Sequence, residues 1–138
     1  MSDTFLTREQ QYASAVFAQI KPLIKWEKAC RDAYGSLAHK LPVLIRTAGL
    51  AQSLAFVCAR NKEGTPQRQL LSDLEMVLRT TKVLDTEDNL VKRSREAGFV
   101  EYLRLTEGAL QALLWFKRFA QSELGVQSGA EDQGHSNA

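Results

Sequence analysis

Two cysteines, two histidines and three prolines among 138 residues leave little material for covalent bracing or for the commonest catalytic and metal chemistry. Cys30 and Cys58 stand far apart among helix-forming apolar neighbours, which excludes a disulfide framework and points to reduced thiols in a cytoplasmic protein. A metal site draws several His, Cys or carboxylate ligands from close spacing, and neither His39 nor His135 has such company, so neither metal nor cofactor is expected. Cys58 lies within Ala55–Ala59, an apolar helical setting unsuited to a nucleophile. The glycines at 35, 49, 64, 98 and 108 stand singly, as helix punctuation rather than a phosphate loop. Asp85, Glu87 and Asp88 do cluster, but at a predicted helix start, where capping is the ordinary role of an acid. No oriented acid, base or nucleophile emerges, and no enzyme is expected. Long apolar runs are missing too: Leu110 to Phe116 is far short of a membrane span, and no basic segment leads into an apolar one at the N-terminus as in a secretory signal.

Charge of one sign is also scarce. The net charge is +2, but residues 125–138 hold two acids and no Lys or Arg. Setting them aside leaves 18 basic and 14 acidic side chains, an excess of four. So small an excess cannot establish nucleic-acid binding by itself; local clustering has to do so.

What the chain has in abundance is helix signal. Hydrophobic residues make up 44% and charged residues 25%, the balance of an ordinary globular domain with one core. Thr7 and Gln10 form a capping-box pair ahead of Ala13, Val16, Phe17, Ile20, Leu23 and Ile24, spaced along one helical face. Pro22 interrupts that face, which resumes at Trp26, Ala29, Cys30 and Ala33, so a kinked or broken helix is predicted. Tyr34-Gly35-Ser36 reads as a helix stop with a new N-cap at Ser36, and Pro42 as the first turn of another helix ending near Gly49. Leu50, Leu54 and Val57 stripe a helix to about Arg60, and a polar loop runs from Asn61 to Thr65. Thr65-Pro66 opens a helix with Leu70, Leu71, Leu74, Val77 and Leu78 on its inner face. A weak helix through Leu90 and Val91 reaches Gly98, and the strongest runs from Phe99 to about Leu124. Phe56 and Trp115 are predicted core anchors, and Tyr102 a bridge between core and surface.

The expected fold is all-α: a single-domain bundle of about five to six helices over residues 1–124, its long C-terminal helix packed centrally. Residues 125–138, rich in Gly, Ser, Gln and Asn, are predicted to be a disordered tail.

Basic residues recur in small sets. Lys21, Lys25 and Lys28 are spaced along one face; Lys40 and Arg46 bracket Pro42; Arg60 and Lys62 flank the end of one helix; Lys92, Arg93 and Arg95 crowd a short segment; Lys117 and Arg118 lie late in the last helix. Each set taken singly reads as a solvated face. An extended RNA backbone, however, takes several small basic patches rather than one intense one.

Two stretches carry more specific information. One, Tyr34 to Phe56, contains Lys40-Leu-Pro42, Ile45-Arg46, Gly49-Leu50-x-Gln52 and Leu54-Ala-Phe56. The other contains Tyr102-Leu-Arg-Leu-Thr106 and Trp115-Phe-Lys-Arg-Phe-Ala120, and Thr7-Arg-Glu-Gln-Gln-Tyr-Ala13 precedes both. As an ordered set these resemble the small helical subunit of the type III-B CRISPR (Cmr, RAMP module) effector complex, in outline over residues 7 to about 122. The resemblance implies a non-catalytic subunit that stacks with further copies of itself into a minor filament. It implies other Cmr complex subunits and the target RNA within the guide–target duplex as partners, with target cleavage belonging to other subunits. Lys40, Arg46 and Lys117 are the matched positions with charge to offer to RNA, and Lys25, Arg60 and Lys62 complete the candidate RNA-binding set. Two rival readings stay open: an adaptor that only spaces larger subunits, and the equivalent small subunit of a type III-A complex.

Overall fold

The Thr7 hydroxyl accepts the Gln10 backbone N–H at 3.1 Å while the Gln10 side chain accepts the Thr7 N–H at 2.8 Å, and this reciprocal pair opens α1 (Arg8–Ile20) as expected. The computed structural model describes residues 5–127. Pro22 does break the first helix: the chain tightens into a 3₁₀ turn over Lys21–Lys25, and Trp26 then adopts extended backbone. Arg31 braces this break, donating to the carbonyls of Trp26 at 2.8 Å and Ile24 at 3.2 Å. The predicted common face of Lys21, Lys25 and Lys28 is therefore not formed. Lys28 begins the next helix and pairs with Asp32 at 2.7 Å.

The largest departure from expectation is α2 (Lys28–Ala48), which runs without interruption through Gly35, Ser36 and Pro42. Gly35 is not a stop. A Cβ there would fall 2.6 Å from the Cβ of Val126, so the glycine lets the end of the chain close onto the helix. Pro42 lacks the N–H that would bond Ala38, a defect of about 3 kcal/mol in a free helix. Pro42, Leu41 and Ile45 are all buried, and that tertiary packing holds the helix through the defect. The true end is Gly49, at φ +90°, where the chain turns into α3 (Leu50–Arg60).

Thr65 caps α4 (Pro66–Thr80), Asn89 caps α5 (Leu90–Glu96), and α6 spans Phe99–Ser122. The described residues thus form an all-α bundle of six helices, in accord with the expected fold class. The last helix, α6, packs against α1, α2 and α4, with α3 against α2 and α4, and α5 against α3. Its buried stripe is Leu105, Ala109, Ala112, Leu113, Phe116 and Ala120. Trp115, one step round from Phe116, is only half-buried, so the predicted anchor is Phe116 instead. Phe56 is likewise displaced from the core: Leu50, Leu54 and Val57 turn inward and leave it 47% exposed. Tyr102 bridges as expected, its half-buried hydroxyl accepting the Ala51 N–H at 3.0 Å in the first turn of α3. Packing continues past residue 124 to Val126, which is buried and donates its N–H to Ala120 O at 2.9 Å. Residues 128–138 of the predicted tail lie outside the described residues.

Candidate nucleic-acid interface

Half of the ten arginines, Arg31 among them, are fastened into the fold by hydrogen bonds or ion pairs. Arg79 donates to Asp88 O at 2.7 Å and pairs with Glu75 at 3.0 Å. Arg68 holds Asn61 O at 3.1 Å and Glu63 at 3.1 Å, fastening the loop before α4. Arg93 grips the Glu101 carboxylate with both Nε and Nη2 and ties α5 to α6, which removes the centre of the predicted Lys92–Arg95 patch. Arg8 donates to Thr81 O at 3.0 Å and lies over the Tyr12 ring.

Against that background the six candidate residues differ. Lys25 is exposed on the 3₁₀ turn, Lys40 and Arg46 are exposed on α2, Arg60 is exposed at the end of α3, Lys62 is exposed in the following loop, and Lys117 is half-buried on α6. Arg60 stacks its guanidinium over Phe56, 5.0 Å from the ring centre, which explains why that phenylalanine can stand at the surface. Among the described residues, the side chains of Lys25, Arg46, Lys62 and Lys117 make no ion pair, hydrogen bond or ring contact. Lys40 does have a partner. Six residues of helix separate Lys40 from Arg46, roughly 9 Å of rise and 120° of rotation, so the two do not share one face.

What the fold brings to Arg46 is Arg104: both line a groove of about 740 Å³ between α2 and α6, with Glu107 in the same lining. Val100, Leu103 and Leu110 supply its apolar wall. Arg104 is exposed and, among the described residues, uncommitted. In the sequence it sits within Tyr102-Leu-Arg-Leu-Thr106 with no role marked for it; an arginine on the outer face of the helix predicted to be central was the available signal. Exposed apolar side chains crowd the start of the same helix: Phe99 is 76%, Val100 70% and Leu103 50% exposed. A second guanidinium–aromatic pair, Arg118 over Trp115 at 5.5 Å, stands farther along it. Cations interleaved with aromatic rings suit a single-stranded nucleic acid, which offers both phosphates and ring faces. Among the described residues, no group of three His, Cys, Asp or Glu side chains is placed to hold a metal ion.

Comparison with known proteins adds an independent line. The family model described as CRISPR-associated protein (Cas_Cmr5) matches residues 8–123. The chain belongs to the Cmr5 family. The match opens with α1 and closes one residue after α6, so the whole bundle is the family unit. A curated Cmr5 relative from Thermus thermophilus, named CRISPR system Cmr subunit Cmr5, is 42% identical over 116 residues, covering 84% of this chain and 95% of its own length. The X-ray crystal structure of a CRISPR-associated Cmr5 family protein from Thermus thermophilus superposes with a TM-score of 0.71 at 41% identity, over 86% of this chain and 98% of that one.

Proposed function

We propose that this chain is a non-catalytic small subunit of a type III-B CRISPR RNA-targeting complex. In this reading it works in the cytoplasm, stacks with copies of itself into a minor filament beside other Cmr subunits, and touches target RNA through scattered cations. Family membership and the name of the Thermus relative support the place in a Cmr complex. The observation that carries the RNA contact is that the fold leaves the side chains of Lys25, Arg46, Lys62, Lys117 and the added Arg104 uncommitted among the described residues, as it does those of Lys21, Lys82, Lys92 and Arg95. Arg60, stacked on Phe56, offers a ring face beside its charge. Lys40 remains in the proposed set by its exposure and its place in the family-like stretch.

The test is target capture by the assembled complex with Arg46→Glu and Lys117→Glu together. Capture is expected to weaken by about tenfold or more, and its salt slope to flatten by roughly 0.7 for each phosphate no longer neutralised. Unchanged capture, with an unchanged melting temperature, removes both residues from the interface. The exposed Phe99, Val100 and Leu103 favour a second reading, an adaptor that meets only protein.

A further inference from the structure

A second groove, of about 430 Å³, runs between α1 and α6 on the other side of the Arg104–Leu114 row. Tyr12, Val83, Leu114 and Trp115 supply its apolar lining, and Gly108 lets α6 close on Val83 and Tyr12 at its floor, since a Cβ there would stand 3.0 Å from Val83 Cγ1 and 3.3 Å from the Tyr12 hydroxyl. Its polar side chains are balanced: Arg8 and Arg104 against Glu9 and Glu107, with the Gln111 amide beside them. Among the described residues the side chains of Glu9, Arg104, Glu107 and Gln111 form no ion pair or hydrogen bond, although opposite charges line the same groove.

That combination selects a chemistry. A phosphate gains little from a groove whose two positive charges are matched by two negative ones. A neutral planar group with donors and acceptors on its edge gains from all of it: apolar walls for its faces, an amide and ionic side chains for its rim. Gln and Arg side chains hydrogen-bond to base edges, and an aromatic ring such as Trp115 accepts a base by stacking or edge contact. We propose that this groove holds an unpaired nucleobase of bound RNA, recognised by the α6 row Arg104–Glu107–Gln111 against Trp115. The inference rests on the RNA-contacting reading above and gives Arg104, which lines both grooves, to the base, leaving Arg46 and the lysines to meet the backbone.

The experiment uses the assembled complex with target RNAs carrying 5-iodouracil at successive positions, irradiated and mapped by mass spectrometry. At one position or a periodic set of positions, crosslinks are expected on Trp115 or Tyr12. Gln111→Ala, an exposed change that leaves the core alone, should lower their yield by about fivefold, the scale of one hydrogen bond to a base edge. An abasic residue at the same position should weaken binding by about tenfold. Crosslinks confined to other segments of this chain would overturn the base site while leaving the RNA contact standing. No crosslink anywhere on the chain would overturn both and favour the adaptor.

Discussion

Asp73 lies on the inner face of α4 among Leu70, Leu74 and Val77, and only 4% of its surface meets solvent. It accepts the Tyr34 hydroxyl at 2.6 Å and the Gln69 amide at 2.8 Å. Burial pushes its pKa up to about 6 from 3.8, and the two hydrogen bonds hold it from rising further. Tyr34 is raised well above its ordinary value, chiefly by burial and then by the neighbouring carboxylate, and stays the donor. A carboxyl whose folded pKa lies above its unfolded one favours folding most below about pH 4, and that contribution is lost as pH rises through about 6. Asp73→Asn should therefore gain stability relative to wild type between pH 4 and pH 7, by about 1–3 kcal/mol. Urea unfolding at both pH values measures it, and parallel stability curves would refute the buried-acid account. Tyr34→Phe, which strips a buried carboxylate of its best donor, should cost about 1–3 kcal/mol at pH 7 in the same assay.

At the scale of elements, the decisive feature is the closure of the chain end on α2. Gly35 and Val126 pack with no room for a methyl group between them, and His39 Nε2 lies 3.1 Å from Val126 O beside them. Gly35→Ala favours the helix locally by about 1 kcal/mol yet should destabilise the protein, because the Leu124–Val126 segment must lift off. Hydrogen exchange is expected to accelerate over residues 120–127 in that variant. Combining it with Val126→Gly removes the colliding atoms, and a double-mutant cycle should return a coupling of about 0.5–3 kcal/mol. Zero coupling would show that the two positions do not meet.

Across the whole molecule, α6 carries two surfaces of different character. Its first turns expose Phe99, Val100 and Leu103, and its middle row faces the two grooves with Arg104, Glu107 and Gln111. Phe99→Ser with Leu103→Ser should leave the melting temperature of the isolated chain within a few degrees, since neither side chain is in the core. Incorporation into the complex is expected to fall by about tenfold, as when apolar anchors are removed from an interface. Size-exclusion chromatography of reconstituted complex reads the outcome; full incorporation would return this patch to ordinary surface.

The positions that sequence alone settled are those governed by near neighbours. Thr7 with Gln10, Pro22, Thr65-Pro66 and the Leu50–Leu54–Val57 stripe act within a turn or two of themselves, so their helices were legible, as was the ordered family pattern. Where a distant partner intervenes, local rules misled. Gly35 looks like a stop and Pro42 like a start until Val126 and the core are brought against α2. Phe56 and Trp115 look like anchors until the rotation of their helices is fixed by Val57 and Phe116. The candidate cations were visible as letters, but whether each is committed depends on carboxylates and carbonyls far along the chain: Arg93 is held by Glu101 while Arg104 is left to face two grooves. Helix formation is a short-range property of the chain; the partners of a side chain are set by packing, and packing exists only in the folded molecule.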